Sequence, residues 1–248
     1  MGVLEKAREE FWKVRSARKV APASLVVMRC LSADEAIGPQ ADEGFVIKKG
    51  REVVVEARCL DATGQAFTDS PMDFKGTLGE VVQMDLSEAG NRAILVATMN
   101  AVLRHLGLAE GTVHCRDEDP QRCGPEMAAA VEGRFGRKRY GLVGLQPSIL
   151  AAMVQRFGPE SVRVVDLNAD NIGRKRSGIL VWDGATDLAR LVNWSEVLLV
   201  TGSSVVNGTM DGILERAERA GRTVVFFGNT ISGVAAMAGL ERICPFGQ

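Results

Sequence analysis

Leu4, Ala7, Phe11 and Val14 recur at three- and four-residue steps near the start of the chain, with Glu5, Lys6, Glu9, Lys13 and Arg15 on the opposite positions. That spacing predicts a helix packing one side on a core. Leu25 to Leu31 is β-prone. From Glu52 to Leu60 the residues Val53, Val55, Ala57 and Cys59 alternate with Glu52, Glu56 and Arg58, the period of a strand with one buried face. Cys30 shares the parity of Val26 and Met28, so Cys30 and Cys59 are both expected as small buried hydrophobes. Phe67 to Gly79 mixes turn formers with aromatics and reads as an ordered loop. Ala93 to Leu103 is apolar nearly all round, interrupted only by Thr98 and Asn100, with Asn91 as its cap and Gly107 as its stop. This is the expected central helix of a first domain, with His105 a structural residue in its last turn.

Beyond Arg139 the pattern changes. Tyr140 to Leu145, Val162 to Leu167, Ile179 to Trp182, Val197 to Val200 and Thr223 to Phe227 are short apolar runs, separated by helical stretches, one opening at Pro147 and another spanning about 209–220. Alternation of this kind predicts a parallel sheet covered on both faces. The fold class is therefore α/β: a small α+β N-terminal domain over residues 1–124, followed by a Rossmann-like parallel-sheet domain over residues 125–248.

Ligands of such sheets bind outside the carboxyl ends of the strands. The residues there are Gly144 and Gln146, Asp166 and Asn168, Thr201, Gly202, Ser203 and Asn207, and Asn229 and Thr230. Asp166 stands 22 residues past Gly144, near the spacing at which an acid accepts ribose hydroxyls. The glycine fingerprint is missing, because Leu145, Gln146 and Pro147 occupy positions where a pyrophosphate needs bare backbone. An adenosine-like or other small ligand fits this edge better than a dinucleotide, and Thr201, Ser203, Asn207 and Thr209 serve equally well as turn and cap residues.

Composition narrows the classes further. The 248 residues are 46% hydrophobic and 25% charged, with a formal charge of -1, which points away from nucleic acid and from membrane surfaces as partners. No run reaches a membrane span, and the N-terminus lacks both a signal-peptide core and a myristoylation pattern. A cytoplasmic protein with reduced cysteines is expected, and a homodimer is compatible with the sequence.

The segment Gly111 to Gly124 lies where the pattern changes. It holds one of two histidines, His114, and two of five cysteines, Cys115 and Cys123, with Asp117, Glu118 and Asp119 between them. Thiolate and imidazole are ligands of zinc, copper(I) and other thiophilic ions, and a transition metal ion is the cofactor they would hold. The Cys-x7-Cys spacing is not that of a zinc finger, and His114 and Cys115 converge only in an irregular loop. Cys244 completes the set if the C-terminal segment folds back on this hinge. A metal site, a reactive thiol and plain structural cysteines all remain open readings of the spacing.

With Thr112-Val-His-Cys115, Asp166-Leu-Asn168, Thr201-Gly-Ser-Ser-Val-Val-Asn-Gly-Thr209 and Gly228-Asn-Thr230 in view, the chain resembles a heavy-metal chelation family catalogued as domains of unknown function. The resemblance implies an enolase-N-terminal-like first domain, a Rossmann-like second one, a ligand site in the cleft between them and a role in metal handling. By motif position His114, Cys115, Asp166, Thr201 and Asn207 inherit that site, whereas Cys123 matches no motif and rests on spacing alone. The leading expectation is a protein that binds a metal ion or metal complex in the interdomain cleft. Its rival is an enzyme or sensor holding an adenosine-like or pterin-like molecule at the strand edge. No nucleophile and base stand at catalytic spacing, and no His-Glu-x-x-His helix is present, so the sequence decides nothing about catalysis.

Overall fold

The computed structural model describes residues 1–39 and 52–248. The opening amphipathic repeat forms α1 (Val3–Ala17), with Leu4, Ala7 and Phe11 buried. Four strands follow: β1 (Leu25–Leu31), β2 (Val53–Cys59), β3 (Ala62–Thr68) and β4 (Phe74–Thr77), an antiparallel sheet in the order β3-β2-β1-β4. Two one-turn helices, α2 (Ala33–Ile37) and α3 (Leu78–Val82), open on capping boxes. Ser32 and Thr77 accept from the N–H groups of Glu35 and Glu80, whose carboxylates reach back.

Helix α4 (Ala89–His105) is buried along most of its length, as its apolar pattern requires. It lies directly on β3, and at Gly64 a Cβ would run into the backbone of Ala97 and Ala101. That close approach explains why β3 carries small residues and is hard to see by hydrophobicity. Asn91 does not cap α4; Glu88 holds the N-cap position, and Asn91 Nδ2 donates to the Asp85 carbonyl at 2.9 Å. The segment read as a loop contains β4 and the start of α3. Cys30 also departs from expectation, being exposed. Pairing with β4 stops at Met28, so the sheet narrows and leaves Cys30 at an uncovered corner.

The second sheet contains β5 (Tyr140–Val143), β6 (Val162–Asp166), β7 (Lys175–Arg176), β8 (Ile179–Asp183), β9 (Val197–Thr201), β10 (Thr223–Phe227) and β11 (Arg242–Ile243). Its order is β11-β10-β9-β5-β6-β8-β7, parallel throughout except for β7 against β8. With β7 set aside, this is the 3-2-1-4-5-6 order of a doubly wound sheet, and the winding reverses between β5 and β9. Helices α5 (Asp119–Phe135) and α6 (Pro147–Phe157) cover one face, burying Met127, Val131, Leu150 and Met153 with Leu142, Val164 and Leu199. Helices α7 (Leu188–Trp194), α8 (Met210–Arg219) and α9 (Ser232–Ala238) cover the other. There Leu198, Val200 and Phe226 join one continuous core with α4, Val26, Met28, Val55 and Ala57. Alternate residues of each parallel strand thus meet different helices, which is why the strands read as unbroken apolar runs.

Helix α5 begins at Asp119, so Cys123 lies inside it. Pro125 has no N–H for the Gln121 carbonyl, and Ser148 Oγ on α6 donates to that oxygen at 3.2 Å instead. Among the described residues no helix is long and apolar enough to cross a membrane.

Candidate functional site

Residues 106–118 connect α4 to α5 and pass along the free edge of β3. Gln65 N donates to the Thr112 carbonyl at 2.9 Å, Thr112 Oγ1 to the Thr63 carbonyl at 3.1 Å, and His114 N to Gln65 Oε1 at 2.9 Å. On its other side the connector meets the C-terminal segment. Val113 N donates to the Gln248 carbonyl at 2.8 Å, and Gln248 N returns a bond to the Val113 carbonyl at 2.9 Å. Residues 244–248 therefore lie against the segment that carries His114 and Cys115.

His114 Nδ1 stands 2.6 Å from the Cys115 carbonyl, which can only accept, so this nitrogen carries the proton and Nε2 keeps its lone pair. Burial lowers the imidazole pKa and holds the ring neutral at neutral pH. Its edge packs on Phe67, with ring centroids 5.2 Å apart, and its Nδ1 is 3.9 Å from Cys115 Sγ.

Cys115 is buried, and Cys123 and Cys244 are half-buried. Burial pushes the Cys115 thiol far up, and the charges of Cys123, Cys244 and Asp119 raise it further. Burial pushes Cys123 up to about 12, helped by Cys244 and Asp119. Three thiols from three chain segments thus share one electrostatic neighbourhood, beside a shallow hollow of about 340 Å³ lined by Arg116, Asp117, Glu118, Asp119, Arg122 and Gln248. Among the described residues no group of three His, Cys, Asp or Glu side chains stands in position to hold a metal ion, so these thiols are neighbours rather than a formed coordination shell.

At the strand ends of the second sheet most of the polar side chains are engaged in their own turns. Asp166 Oδ2 accepts from Leu145 N at 2.6 Å, while Oδ1 accepts from Asn168 N at 2.8 Å and Asn171 Nδ2 at 3.3 Å. Its carboxylate braces the ends of β5 and β6. Gln146 Oε1 caps α6 through Ile149 N at 2.6 Å, and Asn168 Oδ1 accepts from Asp170 N at 2.9 Å. Asn207 Oδ1 accepts from Thr209 N at 3.2 Å, and the Thr201 and Ser203 hydroxyls pair at 3.1 Å. Gly144 has φ +92, and a Cβ there would stand 2.6 Å from Thr201 Cγ2, so β5 and β9 need glycine where the winding reverses. Gly202 lies tight against Ile231.

Two residues of this edge differ. Thr230 Oγ1 accepts from Phe67 N at 3.1 Å, tying β3 to the end of β10. Asn229 is buried with neither Oδ1 nor Nδ2 partnered among the described residues, and Ser204 Oγ is in the same state. The sequence reading missed Asn100, which joins the two sheets. Its Nδ2 donates to the carbonyls of Gln65 at 2.9 Å, Thr230 at 3.0 Å and Asn229 at 3.3 Å, and its Oδ1 accepts from Gly233 N at 2.6 Å. The one signal was a polar residue interrupting an otherwise apolar helix. Glu52 was also missed as a site residue. Burial, then the charges of Asp166 and Asp69, push its carboxyl up to about 6.

Residues 128–240 match the model of the DUF364 family, described as "Putative heavy-metal chelation". No curated protein matches the chain. Two solved structures share its fold. One is a protein of unknown function from the DUF364 family of Pyrococcus horikoshii, 18% identical, the likeness covering 92% of this chain and 79% of that one with a TM-score of 0.52. The other, also a DUF364 protein of unknown function, comes from Desulfitobacterium hafniense DCB-2 and is 13% identical, covering 94% of this chain and 84% of that one with a TM-score of 0.51. Over residues 128–240 the chain is thus similar to the DUF364 family, and over nearly its whole length it has the fold of two solved DUF364 proteins.

Proposed function

We propose that this protein binds a thiophilic metal ion where the connector, α5 and the C-terminal segment meet, in the cleft between the two sheets' domains. Cys115, Cys123 and Cys244 are the thiolate donors, and His114 is the neighbouring imidazole whose Nε2 lone pair is held free. The observation that carries the reading concerns the donors. The matched segment, residues 128–240, contains neither histidine nor cysteine, so every thiol and imidazole comes from the flanks, and there the Cys115 thiol feels the charges of Cys123 and Cys244. The strand edge provides oxygen donors such as Asp166, which suit hard ions and not heavy ones.

The donor set fits such an ion by its chemistry. Burial first, and then neighbouring charges, hold the protons on Cys115 and Cys123 in the free protein, and a bound cation would supply the positive charge that offsets this penalty. Each ligating thiol then gives its proton to solvent, so binding weakens as pH falls. Addition of zinc or copper(I) should release protons into a weakly buffered solution, and Cys115→Ser should lower the affinity by about tenfold or more. Exposed Cys30 should react with a thiol reagent first and stay reactive with metal present, while Cys115 and Cys123 become protected. Zinc and copper(I) that release no protons and protect neither thiol would leave the cysteines structural.

A second reading rests on Asn229. An amide whose NH2 donor and carbonyl acceptor lie side by side, buried without partners among the described residues at a strand end, matches the hydrogen-bonding edge of an adenine-like or pterin-like ring. An unpaired buried amide costs stability, so Asn229→Leu should leave the ligand-free protein as stable or up to about 1 kcal/mol more stable. The same substitution should abolish any thermal shift given by adenosine or a pterin. A clear loss of stability in the ligand-free variant would show the amide to be paired and would remove this reading.

A further inference from the structure

The two faces of the first sheet are covered unequally. One lies against α4, and Val26, Met28, Val55 and Ala57 join the main core there. On the other face Leu31 and Val54 pack with Ala36 and Ile37 of α2, which covers one corner. At the opposite end of that face Leu25 and Val27, two residues apart on β1 and so on the same side, are 55% and 39% exposed. Leu60, 46% exposed, stands opposite Leu25, one step beyond the Val26 and Cys59 pair. The solvated face of an antiparallel sheet is normally polar, so three adjacent exposed apolar side chains mark a surface built to be covered.

The charges around this patch are of one sign. Val27 is paired with Arg58 on β2 and with Lys75 on β4, and both cations are exposed. Lys75 has no ion pair among the described residues. Glu56, the neighbouring carboxylate on β2, is buried and already engaged, with Gln65 Nε2 at 3.1 Å, Arg58 Nη2 at 3.3 Å and Arg29 Nη2 at 3.6 Å. Asp61, beside Leu60, is turned to His105 at the end of α4, on the sheet's other side. From this juxtaposition we infer that the patch is the docking surface for an amphipathic helix whose apolar stripe is bordered by acidic residues. Its leucine-like side chains cover Leu25, Val27 and Leu60, and its carboxylates meet Lys75 and Arg58. A helix laid here repeats on the open face what α4 does on the buried one. A second copy of the chain fits less well, because a two-fold contact would set this cationic patch against itself.

A fluorescent synthetic helix with leucine at helical spacing and glutamate elsewhere serves as the probe, and a version with lysine in place of glutamate is its control. Anisotropy with the full chain reads binding, and amide hydrogen exchange reads its place. The acidic helix should bind, slow exchange across Leu25–Leu31 and Phe74–Thr77, and be released as salt is raised. Val27→Asp and Lys75→Glu, both at exposed positions, should each keep the parent's melting temperature and weaken binding by about tenfold or more. No binding of the acidic helix, equal binding of the lysine helix, or undiminished binding to both variants would overturn the docking surface. So would a parent that sediments as a dimer while Val27→Asp sediments as a monomer, since the face would then belong to a second copy.

Discussion

Asn100→Leu should destabilise the protein by about 3 kcal/mol and lower its melting temperature by about 6–12 °C. Leucine keeps the branching of asparagine, but its methyl groups are larger and make no hydrogen bonds, so the fully buried site loses its bonds and is crowded as well. Four main-chain groups depend on this amide: the carbonyls of Gln65, Asn229 and Thr230, and the N–H of Gly233. The Asn229 carbonyl keeps a second donor in Ser232, but the Gly233 N–H has its bond only to Asn100 Oδ1 among those described. Removing one partner of a buried pair costs more than the bond is worth, because the orphaned group stays out of water. Thr98, two residues earlier in α4, supplies the control. Its hydroxyl is buried without a partner, so Thr98→Val should cost nothing. Urea unfolding of both variants reads the contrast, and an Asn100→Leu protein within about 0.5 kcal/mol of the parent would show that the clasp contributes little.

Glu52→Gln should stabilise the protein at pH 7.5 by about 1–2 kcal/mol and leave it unchanged at pH 4. Burial, with the charges of Asp166 and Asp69 beside it, raises the Glu52 carboxyl from its ordinary 4.5 to about 6. Below pH 4.5 the group is protonated in folded and unfolded chains alike and makes no difference. Between 4.5 and 6 the unfolded chain loses the proton first, so stability falls as pH rises, and above 6 the whole penalty is present. Glutamine carries no charge at any of these pH values. A stability difference between variant and parent that is the same at pH 4 and pH 7.5 would show that Glu52 titrates normally.

The elements of the second sheet are legible because parallel strands buried on both faces are apolar at every position, as in Val162 to Val165 and Val197 to Val200. Strand β3 is not legible. Its buried positions include Gly64, Gln65 and Ala66, small or polar because α4 lies directly on the strand and the connector bonds to its edge. The first turns of α5 were hidden by Gly124 and Pro125, whose helix-breaking tendency is offset by Ser148 on another helix. Cys30 has the parity of a core residue, yet the neighbouring strand ends too early to cover it. Parity states which face a side chain takes and cannot state what stands opposite.

For the site, residue type alone identified His114, Cys115, Cys123 and Cys244 as the donors worth attention, since the chemistry of thiol and imidazole belongs to the side chain itself. Which of them meet was decided by tertiary structure. Cys244 is separated from Cys115 by nearly the whole second sheet, and the C-terminal segment returns to the connector through Arg242, which donates to the Glu110 carbonyl, and through Gln248, which pairs with Val113. The strand-end residues show the reverse case. Sheet order carried Asp166, Gln146, Asn168 and Asn207 to the correct edge, but local hydrogen bonds engaged them in turns and left Asn229 as the buried unpartnered amide. Periodicity along a chain records how each element divides its faces between core and water, so the sequence by itself determined the class of fold and the side-chain chemistry available. Contacts between residues far apart in the chain depend on how those faces dock, so the tertiary structure alone decided the clasp at Asn100, the raised carboxyl of Glu52 and the pairing of the C-terminal segment with the connector.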